Sequence, residues 1–131
     1  MTCVAVPVSE EFFMGTAGLD VRRLSGLLEH RKIGCTLVEG DRALAHCILR
    51  LSSARRPGVV AFLEYVNPGG ETRWVRILIQ PAGNELKAER GQFFDAQNTL
   101  YLRGPRRDDP QRILRWVEKE FLISRAAGAG A

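Results

Sequence analysis

Three cysteines and two histidines, Cys3, Cys35, Cys47, His30 and His46, are the side chains in this chain best suited to nucleophilic or metal chemistry at neutral pH. Residues 35–39 and 42–52 read as two strands around Gly40-Asp41. Taken as a two-residue hairpin turn, that dipeptide sets Glu39 across from Arg42, Leu37 across from Leu44 and Cys35 across from His46, with facing Cβ atoms about 5 Å apart. A thiol meeting an imidazole is the start of a cysteine nucleophile, and Glu39 falls on the same face two pairs away. The plainer outcome is that Cys35 and His46 pack together on a half-covered face. Cys47 is expected to point away from His46, toward Leu49 and Leu51, because neighbours on a strand take opposite faces. Zinc would need two further ligands, and His30 and Cys3 stand at unhelpful spacing for that. His30, near the end of a helix, is better suited to stabilising its dipole.

Other catalytic signatures are missing. The sequence contains no G-x-x-x-x-G-K-[ST], G-x-G-x-x-G, H-E-x-x-H, G-x-S-x-G or C-x-x-C pattern. Residues 15–18 are glycine-rich ahead of a helix but lack a lysine, so they read as a helix entry rather than a phosphate cradle. The adjacent acids Glu10-Glu11 and Asp108-Asp109 suit helix starts better than metal ligation. No catalytic residue, cofactor or metal is therefore assigned, and the chain is expected not to be an enzyme.

The elements that would position any site are clearer. Residues 58–80 form two β-branched and aromatic strands around an Asn67-Pro68-Gly69-Gly70 turn. In the second strand Val75, Ile77 and Ile79 share a core face, while Trp74, Arg76, Leu78 and Gln80 take the other. The partner strand is apolar on both sides, with Val59, Ala61, Leu63 and Tyr65 on one and Val60, Phe62 and Val66 on the other. Either a helix covers the second face, or part of it around Trp74, Leu78 and Tyr65 is an exposed patch for a partner.

Earlier in the chain, residues 3–8 suit a short strand and 10–14 a turn of helix. Asp20 caps a helix striped by Val21, Leu24, Leu27 and Leu28, with Leu19 stapled to Leu24 and Gly34 as its stop. Residues 85–90 read as strand by position and helix by propensity. Residues 99–103 suit a strand. Asp109 as N-cap and Pro110 as first helical residue open a last helix whose stripe is Leu114, Val117 and Phe121, flanked by Ile113 and Ile123. The expected fold is α+β: an antiparallel meander of four to six strands packed with an N-terminal and a C-terminal helix, one domain over residues 1–124 and a flexible small-residue tail at 125–131. In element order this resembles the small α+β chaperone and adaptor domains of bacterial secretion systems. The likeness covers most of the chain in architecture, carries no diagnostic motif, and departs from those usually acidic proteins in charge.

With 131 residues, 45% hydrophobic and 26% charged, the chain is neither disordered nor fibrous. Its apolar runs are too short to span a bilayer, residues 1–8 do not resemble a secretory signal, and three cysteines without paired spacing suit a reducing cytoplasm. The net charge of +4 attracts polyanions, yet only Lys32, Lys87 and Lys119 are lysines and the arginine pairs are interleaved with acids. The leading expectation is a non-enzymatic protein-binding module acting through the sheet face or the last helix, with Tyr65, Trp74, Arg76, Leu78 and Trp116 as binding residues. Its partner is another protein or itself, as a homo-oligomer. A nucleic-acid-binding domain using Arg22-Arg23, Arg55-Arg56 or Arg106-Arg107 with Tyr101 or Trp74 for stacking is one alternative, and a small enzyme at Cys35 and His46 is the other.

Overall fold

A computed structural model describes residues 18–41, 44–83 and 98–123. The expectations for residues 3–8, 10–14, 85–90 and 125–131 lie outside the described residues. Asp20 opens α1 (Val21–His30), its carboxylate accepting the backbone N–H of Arg23 at 2.9 Å. Val21, Leu24 and Leu28 form the buried stripe, with Leu19 buried beside them. The helix does not stop on Gly34. Arg31 closes it, and Lys32 takes the left-handed conformation (φ 65°) while its N–H still bonds Glu29 O, so Gly34 already belongs to the first strand.

Five strands follow: β1 (Ile33–Gly40), β2 (His46–Ser53), β3 (Val59–Val66), β4 (Arg73–Pro81) and β5 (Asn98–Leu102). They form one antiparallel sheet in the order β1-β2-β3-β4-β5, the expected α+β meander. The β3–β4 connection is the turn expected from Asn67-Pro68-Gly69-Gly70: Gly69 holds a φ of 101°, open to glycine, and its N–H bonds Asn67 Oδ1.

The first hairpin departs from expectation. Asp41 does not close a two-residue turn; its carboxylate accepts the N–H of Ala45 at 2.9 Å and its carbonyl that of Leu44, so pairing resumes only at His46. Leu44 has a φ of 55° and is buried, its side chain folded beneath Gly40, where a Cβ would meet it at 2.9 Å. A bulge between Leu37 and Glu39 completes the change. As a result Cys35 pairs with Leu51, Leu37 with Leu49 and Gly40 with Cys47.

A 3₁₀ turn (Arg106–Asp108) leads into α2 (Asp109–Val117), which continues as a π-helical turn over Glu118–Ile123. The cap falls on Asp108, one residue before the expected Asp109, with Pro110 in the first turn. Ile113, Leu114, Val117 and Phe121 are buried.

Both helices pack on the same side of the sheet. Their stripes join Ile33, Cys35, Cys47, Leu49, Leu51, Leu63, Tyr65, Val75, Ile77 and Leu102 in one core, so Val75, Ile77 and Ile79 do form the expected core face. Neither described helix covers the opposite face, contrary to the first of the two expectations for it. That face nevertheless has its own buried centre of Ile48, Val60 and Phe62, with Leu78 packed against them. Among the described residues no helix is long and apolar enough to cross a membrane.

Candidate binding site

The end of the sheet where β4 begins and β5 finishes gathers the surface chemistry of this molecule. Antiparallel pairing places Arg73 opposite Leu102, Trp74 opposite Tyr101 and Arg76 opposite Thr99. Trp74, Arg76, Thr99 and Tyr101 therefore share the second face, and Arg103 continues the row, its Nε donating to Thr72 Oγ1. Trp74 and Arg76 are half-buried, Arg103 is exposed, and Tyr101 is 60% exposed. Aromatic rings on directly facing residues lie close enough to pack side by side, leaving an amphipathic surface that guanidinium groups border.

The loops at this end bring more arginines in. Arg23, from the first turn of α1, donates through Nη1 to Arg107 O at 3.1 Å, and Arg112, from α2, donates to Arg103 O at 2.6 Å. Arg22-Arg23 and Arg106-Arg107, far apart in sequence, thus lie at one corner. The exposed carboxylates Asp20, Glu71 and Asp108 are fewer than the surrounding arginines, which leaves the corner positive. A groove of about 500 Å³ runs between the β3–β4 turn and the β5–α2 loop, bordered by Gly70, Glu71, Gly104 and Arg106.

Under the groove Arg73 is 3% exposed and Asp109 1% exposed. They form a bidentate ion pair, Nη2 to Oδ1 at 2.6 Å and Nε to Oδ2 at 2.9 Å. Arg73 Nη1 also donates to the carbonyls of Glu71 and Gly104, and the Tyr65 hydroxyl donates to Asp109 Oδ2 at 3.2 Å. The hydrogen bonds that Arg73 donates to Asp109 hold its guanidinium pKa above the ordinary value. Burial, followed by the Asp109 charge, pushes the Tyr65 phenol up. From the sequence Asp109 is expected as a helix cap and Arg73 is not singled out, although Arg73 shares its alternation with Val75 and Ile77 and was legible as an inward charge needing a counter-ion.

The residues expected to bind together are thereby divided. Trp74, Arg76 and Leu78 occupy the second face, Leu78 as packing for its buried centre. Tyr65 does not belong to that patch: it points into the helix-covered core, fully buried. Trp116 sits half-buried on α2, on the helix side of the sheet. Of the arginine pairs, Arg56 donates to Phe121 O, away from this corner.

No family model matches the chain. Comparison with curated proteins and with solved structures likewise finds no match, so the resemblance to secretion chaperone domains stays one of element order.

The thiol–imidazole pair does not form. With Cys35 opposite Leu51, Cys35 and Cys47 both face the core, fully buried and unbridged, while His46 lies on the other side of the sheet. Cys47 does point toward Leu49 and Leu51, as expected. Its thiol is pushed far above the ordinary value, first by burial and then by Cys35, Asp41 and Glu64. His46 instead hydrogen-bonds Glu64 at 2.7 Å, both buried. The sequence analysis missed Glu64, which the alternation of β3 sets on the same face as Phe62. Among the described residues no cluster of His, Cys, Asp or Glu could hold a metal ion.

Proposed function

We propose that the protein is a non-enzymatic binding module whose partner is another protein, or a second copy of itself, engaged through Trp74, Arg76, Tyr101 and Arg103. The observation that carries this reading is Tyr101, exposed and directly across the ladder from Trp74 with arginines on either side. Tryptophan, tyrosine and arginine are the residues that dominate binding energy at protein interfaces, since they combine large apolar area with directed polar groups. A reducing, cytoplasmic setting belongs to the same proposal, supported by the unbridged Cys35 and Cys47. A nucleic-acid partner is the second reading, favoured by the convergence of Arg23, Arg103, Arg107 and Arg112.

Tyr101→Glu tests the proposal with little risk to the fold, because the side chain is largely in solvent. The expected outcome is loss of captured partners from an extract of the source cells, or a fall in the mass measured by light scattering, with an unchanged circular dichroism spectrum. Identical capture and identical mass for the two proteins would reject the site.

A further inference from the structure

The two edges of the sheet are built differently. β1 carries a bulge at Val38. Bulges twist an edge away from further pairing. β5 pairs with β4 in unbroken register and contains no proline, no charge and no bulge over Asn98–Leu102. It ends the strand order, so alternate backbone N–H and C=O groups point outward with no strand beside them among the described residues. Most native edges are blunted by a charge, a proline or a bulge, and this one is left regular.

The chemistry beside this edge is specific. On the second face it carries Thr99 and Tyr101, followed by Arg103. On the helix side it carries the half-buried Leu100 and buried Leu102, with Arg112 reaching the end of the edge at Arg103 O. A strand laid along β5 would alternate its side chains between these two environments, one aromatic and cationic, the other apolar.

We propose that β5 is the docking edge of the module, and that it takes an extended acidic peptide segment of a protein partner as a sixth strand, antiparallel to β5. This rests on the binding reading given above and names its ligand. Acidic side chains of the segment lie against Tyr101 and Arg103, apolar ones against the half-buried Leu100, and the backbone completes the ladder. A nucleic acid uses the arginines but has no use for an open strand edge, and that edge favours a peptide.

The probe is a blocked peptide of alternating glutamate and valine, titrated into the full chain by calorimetry, with three comparison ligands. One is the lysine-valine peptide; the others carry N-methyl groups either on every valine or on every glutamate, which blocks one edge of the peptide or the other. The glutamate peptide is expected to bind, the lysine peptide not, and only one N-methyl isomer to lose about tenfold or more in affinity. Arg103→Glu, at an exposed position, is expected to weaken the glutamate peptide by about tenfold and to reduce its salt dependence. Equal behaviour of the two N-methyl isomers overturns strand addition, as does equal binding of the glutamate and lysine peptides. Tighter binding of oligothymidylate in competition assigns the corner to nucleic acid and overturns the peptide. If the peptides fail while Tyr101→Glu still strips captured partners, the docking edge is wrong and the binding site stands; if both fail, both are wrong.

Discussion

Removing Asp109 is the sharpest test of how this fold is held at the corner where β4 begins and β5 ends. Asp109→Ala deletes both acceptors of the bidentate pair and the partner of the Tyr65 hydroxyl, and leaves a guanidinium that is 3% exposed without its counter-ion. The attraction lost is less important than the charge left behind, and breaking a buried pair from one side costs about 3–5 kcal/mol. That is a fifth or more of a typical stability of about 5–15 kcal/mol. The bonds from Arg73 Nη1 to the carbonyls of Glu71 and Gly104 are not removed by this substitution and add nothing to the loss. Arg73→Met alone strands the carboxylate and is expected to cost a similar amount. The pair Arg73→Met with Asp109→Leu removes both charges from the interior and is expected to recover most of the loss, because an apolar substitute of similar volume carries no desolvation penalty. Urea unfolding of these variants beside the parent, with Asp109→Leu alone added to close the cycle, gives the coupling. If Asp109→Ala costs less than about 1 kcal/mol, the pair behaves as an exposed one and the clamp does not organise the corner.

Two further predictions use single buried groups. Ser25 Oγ is buried in α1 without a hydrogen-bond partner among the described residues, so Ser25→Ala is expected to remove an unsatisfied group and improve helix propensity; a gain of about 1 kcal/mol in urea unfolding is expected, and a loss would mean that the hydroxyl has a partner. Cys47 and Tyr65 keep their protons in the folded state well above the ordinary 9.0 and 10.0, so the unfolded chain releases protons first as pH rises. Stability is then undiminished below about pH 9 and falls above it, by up to about 1.4 kcal/mol per pH unit for each group, and Cys47→Ala flattens that alkaline limb; an unchanged slope would show that the thiol titrates alike in both states.

The architecture was legible wherever local signals agreed: the Asp20 cap, the stripes of α1 and α2, the Asn67-Pro68-Gly69-Gly70 turn and the alternation of β4. The register of the first hairpin was not. Two alternating segments fit together at many offsets, and an odd slip exchanges the faces of a strand. Gly40-Asp41 suggested a tight turn and so drew Cys35 to His46, whereas Asp41 spends its carboxylate on Ala45 N and keeps the loop open. The better guide was apolar parity, since Cys35 and Leu37 match Leu51 and Leu49 more closely than they match His46 and Leu44. The side on which the helices lie was equally hidden, because β3 is apolar on both faces. Tyr65 was lost to the wrong patch for that reason, and its partnership with Asp109 could not be read from chain positions 44 residues apart.

The clamp and the proposed docking edge are mechanically one structure. Arg73 is directly opposite Leu102 in the ladder and donates to Gly104 O, so the guanidinium ties the end of β5 to the start of β4 at the same time as it anchors α2 through Asp109. Tyr101 and Arg103 flank Leu102 on either side. Their positions thus depend on a charge buried beneath them rather than on the exposed contacts they make themselves, such as the bond from Arg103 to Thr72. Among the described residues no strand lies beside β5, and an edge held in this way would present its backbone groups without first ordering them, which lowers the entropic cost of the proposed strand addition. A buried ion pair is weak evidence for stability, since apolar residues of like volume serve as well. Its geometric fixing of one strand end gives a reason for the pair to lie at this corner.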